Sequence, residues 1–222
     1  MGKSAPVSAE NRARKILSLL KKAHPDPRTA LIHRTPFELL IATILSAQCT
    51  DERVNLVTKT LFAKYPGPED FAHAHQAELE KDIHATGFFR MKAKSIIACS
   101  RALMEGHQGS VPSTMEDLVR LPGVGRKTAN VVLSEAFGKS EGIVVDTHVH
   151  RVSRRLGLTN ADHPEKIEQD LMPLFDRSEW GNIGGLMIHH GRRICNARKP
   201  KCPECPLLAL CPAGKSLQAS DH

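Results

Sequence analysis

The chain has 222 residues, and 41% of them are hydrophobic, which is enough to bury a core and excludes wholesale disorder. Lys and Arg number 31 against 24 Asp and Glu, and the resulting net charge of +7 favours an acidic partner such as nucleic acid. No apolar run approaches the roughly 18 residues that span a bilayer, and no apolar leader precedes the first helical pattern, so we expect a soluble intracellular protein without a membrane partner.

Basic residues concentrate at both ends of the chain. Residues 1–28 carry seven Lys and Arg against two acidic residues, and residues 190–222 carry six against two, whereas the part between them is near neutral. If the two ends fold together, they form one basic surface; two solvated tails are the alternative.

Apolar residues recur at helical spacing along most of the chain, beginning with a run from Ala13 to Ala23 that Pro25 stops. Helix starts are predicted at capping residues, and two helix ends at glycines. The predicted capping boxes are Thr35–Glu38, Ser113–Glu116 and Asp162–Glu165, the lone cap is Asp51, and the glycines are Gly106 and Gly138. The single strand-like run, Ile143–Val145, is too short to form a sheet, so we expect an all-α fold.

Four cysteines fall within 17 residues near the end of the chain, with the spacing C-x6-C-x2-C-x5-C: Cys195, Cys202, Cys205 and Cys211. Four thiolates can enclose one soft metal centre. An all-cysteine zinc site usually pairs two C-x2-C segments, and only one is present, so the uneven spacing favours a [4Fe–4S] cluster over zinc and leaves both open. The other two cysteines, Cys49 and Cys99, lie in helical patterns and are interpreted as buried apolar residues.

The segment between the first two of these cysteines contains Arg198, Lys199 and Lys201. Cations on a short loop held by a metal would make a rigid contact with phosphate, so Arg198 and Lys199 are predicted to bind DNA. A loop that serves only solubility is the alternative.

A glycine-rich turn, Leu121–Gly125, lies between a predicted helix at about 114–120 and a second helix that runs from Lys127 to Phe137. Gly123 and Gly125, on either side of Val124, let the backbone approach a partner. The N-terminus of the following helix, with Arg126, adds positive charge for one phosphate. This context, at about 114–137, indicates a helix–hairpin–helix DNA-binding element.

Taken together, these motifs resemble the endonuclease III family, the bifunctional DNA glycosylases and AP lyases of the helix–hairpin–helix superfamily. The similarity runs in the family order from about residue 11 to residue 212. It is carried by Ser46–Asp51, Leu121–Val132, Val145–His148, His190–Arg192 and the four-cysteine tail.

The resemblance implies an all-α, two-domain fold. A six-helix barrel domain with the helix–hairpin–helix would occupy 29–139, and a [4Fe–4S] cluster domain would be formed by 1–28 and 140–222. It also implies excision of oxidised pyrimidines from damaged double-stranded DNA, followed by β-elimination that nicks the strand 3′ to the abasic site. The enzyme would be a monomer in the bacterial cytoplasm, associated with the nucleoid while it acts on DNA.

The resemblance makes Lys127 and Asp146 catalytic. A lysine amine can attack C1′, expel the base and leave a Schiff base. The helix N-terminus and partial burial are expected to favour the neutral amine of Lys127. Asp146 would help to deprotonate that amine and stabilise positive charge on the sugar. From the residues alone, Lys127 is a phosphate contact and Asp146 a helix N-cap.

Two further residues match family positions that contact DNA. Gln48 corresponds to the residue that enters the gap left by the flipped nucleotide, and Phe88 to a wedge that is commonly aliphatic. A core phenylalanine at a helix end is the alternative for Phe88.

The competing functions are an adenine-excising relative, a DNA-binding module without catalysis, and a zinc-bound DNA protein. Lys127 and the short segment after Cys211 argue against the first, and Lys127 with Asp146 against the second.

Overall fold

A computed structural model describes residues 9–25 and 29–219. Within these ranges every regular element is helical, so the predicted all-α class is confirmed. Lys3 and Arg28, which contribute to the predicted basic N-terminal segment, lie outside the described residues. None of the described helices combines the length and apolar composition that a membrane span requires.

The α-helices are numbered in chain order, and short 3₁₀ turns lie between several of them. They are α1 (Ala9–Ala23), α2 (Pro36–Leu45), α3 (Asp51–Lys64), α4 (Pro68–His73), α5 (Gln76–Asp82), α6 (Phe89–His107), α7 (Met115–Arg120), α8 (Arg126–Phe137), α9 (Thr147–Arg155), α10 (Pro164–Leu171), α11 (Trp180–Arg193) and α12 (Pro212–Ala219).

The predicted caps of helices α2 and α3 are only partly confirmed. Thr35 caps α2 as expected, because its hydroxyl oxygen accepts from the Glu38 N–H at 3.1 Å. The Glu38 carboxylate, however, accepts from the backbone N–H of Arg34 rather than from that of Thr35. The predicted cap of α3 is wrong. Thr50 has the extended backbone of a cap and accepts from Arg53, which makes Asp51 the first helical residue.

Three later predictions of helix boundaries are also displaced. The box at α7 pairs Thr114 with Asp117, not Ser113 with Glu116. At α10, His163 holds the cap position without a side-chain bond, because Asp162 pairs with Arg154 instead. Helix α6 passes through Gly106 and ends at His107, and its C-cap residue, Gln108, adopts the left-handed conformation.

The chain divides into two compact units, and one of them is Thr29–Lys139, with α2–α8. Each of these helices contributes to one apolar core. Helix α2 is buried along almost its whole length and packs against α8. Phe71 is fully buried in this core, and its ring centroid lies 5.6 Å from that of Phe37 and 5.0 Å from that of Tyr65. The buried α2 gives a fixed base for the turn that precedes α8.

The other unit consists of the described residues of Met1–Arg28 and Ser140–His222. Ala13, Ile16 and Leu20 of α1 pack into a core that α9, α10 and α11 complete. Arg12 also donates to the carbonyls of Leu156 and Leu210. Segments from both ends of the sequence therefore build this unit together.

Candidate functional site

The turn between α7 and α8 is fixed by close packing. Gly123 has φ +78°, which favours glycine, and a Cβ built on it would lie 2.7 Å from the Cβ of Ser95 on α6. Leu121 and Val124 on either side of it are buried, and the Val124 N–H donates to the Leu121 carbonyl at 3.1 Å. Only glycine therefore allows the turn to lie this close to α6.

Helix α8 begins with an open N-terminus. Gly125 is its N-cap and has no side chain to cap the first turn, and a Cβ built there would meet open space. Gly123, Gly125 and Arg126 are exposed. A helix N-terminus approached by backbone N–H groups in this way can bind an anion such as phosphate.

Lys127 is the second residue of α8 and is exposed, whereas Ala129, Val132 and Leu133 bury the opposite side of the helix. The expected partial burial of Lys127 is therefore wrong, because the helix needs only its other face for the core.

Asp146 caps α9. Its Oδ1 accepts from the backbone N–H groups of His148 and Val149, both at 2.8 Å, so the interpretation of Asp146 as an N-cap is confirmed. Both bonds use the same oxygen, so capping does not engage Oδ2. The carboxylate is half-buried and its direction is fixed by the helix that it caps.

Two glycines of α11 allow close approach to the segment around Asp146. A Cβ on Gly184 would lie 3.3 Å from the Val144 carbonyl oxygen, and a Cβ on Gly191 would lie 2.9 Å from the Cβ of His148. These two glycines therefore bring α11 against the backbone on either side of the Asp146 cap.

Gln48 and Phe88 share an unusual backbone. Both lie in the left-handed region, with φ of 53° and 47°, and the other non-glycine residue with positive φ among those described is the α6 C-cap, Gln108. This conformation costs about 1–2 kcal/mol for an L-residue and is concentrated at functional sites.

The side chains of Gln48 and Phe88 are both exposed, Phe88 by 64%. The alternative of a core phenylalanine at 88 is therefore wrong. The neighbouring Phe89 packs inward instead, and its ring centroid lies 4.5 Å from that of His84.

Sequence reasoning missed Lys92, which is 5% exposed. Its Nζ donates to the carbonyls of Leu45 at 2.8 Å and Thr86 at 2.7 Å. A signal was available: Lys92 precedes Ile96, Cys99 and Leu103 at helical spacing, which places a lysine on the apolar face of α6.

All four cysteines of the tail line a single cavity, together with His190 and Leu207. They are free thiols and half-buried. Burial raises the pKa of the Cys205 and Cys211 thiols, and the neighbouring cysteines add to this. Among the described residues, no group of three or more His, Cys, Asp or Glu side chains is arranged as a metal-ion site.

The cysteine segment is tied to α9 by two arginines. Arg155 donates to Cys195 Sγ at 3.3 Å and to the carbonyls of Asn196 and Ala197, and Arg151 donates to the Cys195 carbonyl at 3.0 Å. Arg198 and Lys199 follow this anchor and are exposed. Their backbone is therefore held while their charges face solvent.

The remaining cysteines match their interpretation only in part. Cys99 is fully buried in α6, and burial raises the pKa of its thiol to about 12. Cys49 is half-buried, at the start of the segment that leads into α3, because it lies in a turn rather than inside a helix.

The comparisons with known proteins cover most of the chain. Residues 41–177 match the HhH-GPD superfamily base excision DNA repair protein model. Endonuclease III of Synechocystis sp. is 53% identical over 210 residues, 95% of this chain and 96% of that protein. A solved non-covalent endonuclease III–DNA complex has a TM-score of 0.89 and 47% identity, covering 95% of this chain and 98% of the other.

A second solved structure, a trapped endonuclease III–DNA covalent intermediate, also has a TM-score of 0.89 and 47% identity, over 94% of this chain and 98% of the other. The helical fold with its glycine turn and the superfamily match define a helix–hairpin–helix base excision repair protein. Within that superfamily, the identity along nearly the whole length shows that the chain belongs to the endonuclease III family.

Proposed function

We propose that this chain removes oxidised pyrimidines from double-stranded DNA and cleaves the strand 3′ to the abasic site by β-elimination. It would act as a DNA N-glycosylase and an AP lyase. The observation that carries the proposal is the exposed Lys127, in the first turn of α8 directly after the glycine turn. Similarity to an endonuclease III trapped covalently on DNA supports the lyase step.

The turn from Gly123 through Val124 and Gly125 to Arg126 would bind a backbone phosphate without reading a base. Its fixed position against Ser95 means that the same contact also places the deoxyribose relative to α8. Gln48 and Phe88 would enter the duplex where the damaged nucleotide leaves the stack. The exposed, left-handed geometry of these two residues supports this role.

The Lys127 nitrogen, in its neutral form, would attack C1′ as the bond from C1′ to the base breaks, and the base would leave with a proton. Loss of a proton from that nitrogen and cleavage of the C1′–O4′ bond would then open the sugar ring and leave a protonated imine. The imine acidifies C2′, and loss of a C2′ proton breaks the bond from C3′ to the 3′ phosphate, which is the β-elimination. Asp146 would take a proton from the Lys127 ammonium and stabilise positive charge on the sugar. Its Oδ2, which capping does not engage, is the oxygen proposed for that proton.

Cys195, Cys202, Cys205 and Cys211 would bind a [4Fe–4S] cluster. The donor set fits, since four free thiols converge on one cavity and each can ligate a different iron. When bound, the cluster would supply a covalent staple for residues 195–211. Arg198 and Lys199, on the loop between the first two ligands, would contact DNA phosphate.

The two compact units would correspond to two functional domains. Thr29–Lys139 would be the six-helix barrel with the hairpin, and the unit from both chain ends would be the cluster domain. We place the protein in the bacterial cytoplasm, on the nucleoid during repair, because its substrate is chromosomal DNA. One copy contains all the residues assigned here, so it would act as a monomer.

The test is borohydride trapping on duplex oligonucleotides that each carry one damaged base. The wild-type protein should form a covalent adduct and nick thymine glycol DNA. Lys127→Ala should lose both activities and keep most of its affinity for an abasic-site analogue, because phosphate contacts remain. Lys59→Ala, an exposed lysine of α3, is the control for charge. An adduct formed by Lys127→Ala would overturn the assignment.

A further inference from the structure

A buried lysine lies between the two segments that carry Gln48 and Phe88. Leu45 is the last residue of α2 and precedes Gln48 by three positions, and Thr86 ends a 3₁₀ turn and precedes Phe88 by two. The Lys92 Nζ donates to both of their carbonyls, at 2.8 Å and 2.7 Å. One ammonium group thus joins the ends of two elements that are distant in sequence.

Lys92 is also fixed to the second segment through its backbone. Its N–H donates to the Phe88 carbonyl at 3.1 Å, in the first turn of α6. The same residue therefore holds Phe88 from the main chain and Thr86 from the side chain. Its hydrogen bond to the Leu45 carbonyl then sets the distance between the turn at Gln48 and Phe88.

A charged group at this place is costly. Lys92 is followed on its face of α6 by fully buried apolar residues, and burial lowers the pKa of Lys92, which the nearby Cys49 offsets only in part. An unpaired buried charge costs several kcal/mol, so the ammonium is tolerated only because charge-assisted hydrogen bonds satisfy it. Methionine would fill the same space without that cost, but it could not connect two carbonyls.

We infer that Lys92 is a positioning residue for base excision. It cross-links the two segments so that Gln48 and Phe88 enter the duplex at a fixed separation. This inference rests on the DNA role proposed above for Gln48 and Phe88. Lys92 itself touches neither DNA nor the sugar that reacts.

The test is a double-mutant cycle with single-turnover excision as the readout. Lys92→Met is made in the wild-type protein and in Gln48→Ala/Phe88→Ala, and Lys59→Met is the control for loss of one lysine. In the wild-type background Lys92→Met should slow excision by about 100-fold, the typical effect of an ångström-scale misplacement. In the double-alanine background it should slow excision less than about threefold, because its targets are already absent.

A second readout separates positioning from folding. With 2-aminopurine opposite the lesion, wild-type binding should increase fluorescence as that base loses its pairing partner and its stacking on the neighbouring bases is disturbed, and Lys92→Met should reduce this increase. If Lys92→Met fails to fold, Lys92→Gln, which keeps a donor, enters the same cycle and should give a smaller, still non-additive loss.

Two outcomes would overturn the inference. If Lys92→Met slows excision by the same factor in both backgrounds, Lys92 only stabilises the fold. If it slows excision in neither background, Lys92 has no effect on the reaction. If instead Gln48→Ala/Phe88→Ala excises damaged bases at the wild-type rate, the proposed role of those two side chains fails, and with it the basis for Lys92. Borohydride trapping by Lys127 on DNA with a pre-formed abasic site is measured in parallel, because that adduct requires no base excision and therefore tests the proposed lyase activity separately.

Discussion

Different interactions stabilise the interior of each of the two units. In Thr29–Lys139, each helix from α2 to α8 contributes apolar side chains to one core. In the unit from both chain ends, the apolar core comes mainly from α1 and α9–α11, and arginines connect the remaining segments through backbone carbonyls. Apolar burial is the main stabilising interaction in the first unit, whereas the second unit relies more on polar cross-links between its segments.

The contrast is sharpest in residues 195–211, all of which the structure describes. Leu207 is the one fully buried side chain in this segment. The regular structure of the segment consists of two short 3₁₀ turns. Such a segment buries too little apolar surface to offset the entropy lost in ordering it. The proposed cluster would supply the stabilisation of residues 195–211 that apolar burial does not provide.

The largest expected effect follows from removing a proposed ligand. Cys205→Ser should lose iron and sulfide, and backbone amides of 195–211 should exchange hydrogen at near-unprotected rates, while those of α2 and α6 keep their protection. Hydrogen-exchange mass spectrometry and metal analysis measure this. Cys49→Ser, at a half-buried cysteine of the other unit, should retain the metal. Full iron content in Cys205→Ser would refute the ligand assignment.

Asp146→Asn should separate chemistry from capping. Asparagine caps helices as well as aspartate does, so the free energy of unfolding should change by less than about 1 kcal/mol. Loss of the acid–base group should slow base excision by about 10²–10⁴-fold. Chemical denaturation and single-turnover excision provide the two numbers. Excision at the wild-type rate would leave Asp146 as a helix cap only.

Gly123→Ala tests the fixed position of the turn against α6. The positive φ and the contact with Ser95 should together lower the free energy of unfolding by about 1–3 kcal/mol and weaken binding to undamaged DNA. Gly106→Ala is the matched control, since the same change inside α6 meets open space and should raise stability by about 0.5–1 kcal/mol. Equal stabilities for the two variants would contradict the packing argument.

The smallest expected effect concerns the ion pair that joins α1 to the turn before α11. Lys21 Nζ lies 2.6 Å from Glu179 Oε1, and both side chains are partly exposed, so Lys21→Met should cost at most about 1 kcal/mol at neutral pH. Burial tends to raise the pKa of Glu179, but the hydrogen bonds from Lys21 and Asn182 outweigh it and lower that pKa.

Because the pKa of Glu179 is lowered in the folded state, the stabilising contribution is complete above the ordinary value of 4.5 and is lost as the pH falls through the folded-state value. The stability difference between wild type and Lys21→Met should therefore shrink in acid. Urea denaturation at pH 7 and in acid measures it, and a constant difference would count against the pair.

Periodicity and turn chemistry predicted the all-α class, the helices on either side of the hairpin, and Gly138 as the end of α8. They did less well where neighbouring residues can make the same bond: Thr50 and Asp51 both have suitable cap side chains, and backbone direction decides between them. The roles of Lys127 and Asp146 came from family resemblance, since the residues alone favoured a phosphate contact and a cap. The position of Lys92 on the apolar face of α6 was visible in the sequence, but its hydrogen bonds were not, because its side-chain partners are backbone carbonyls, which leave no pattern in a sequence.

The interleaved order of the two units has a consequence during synthesis on the ribosome. The stretch 29–139 emerges without interruption and can fold while translation continues, whereas α1 has to wait until α9–α11 have been made. A nascent chain would thus acquire its glycine turn and Lys127 well before the Asp146 cap and the cysteine tail exist. The proposed repair activity would therefore arise only near the end of translation, once the residues of both units have been made.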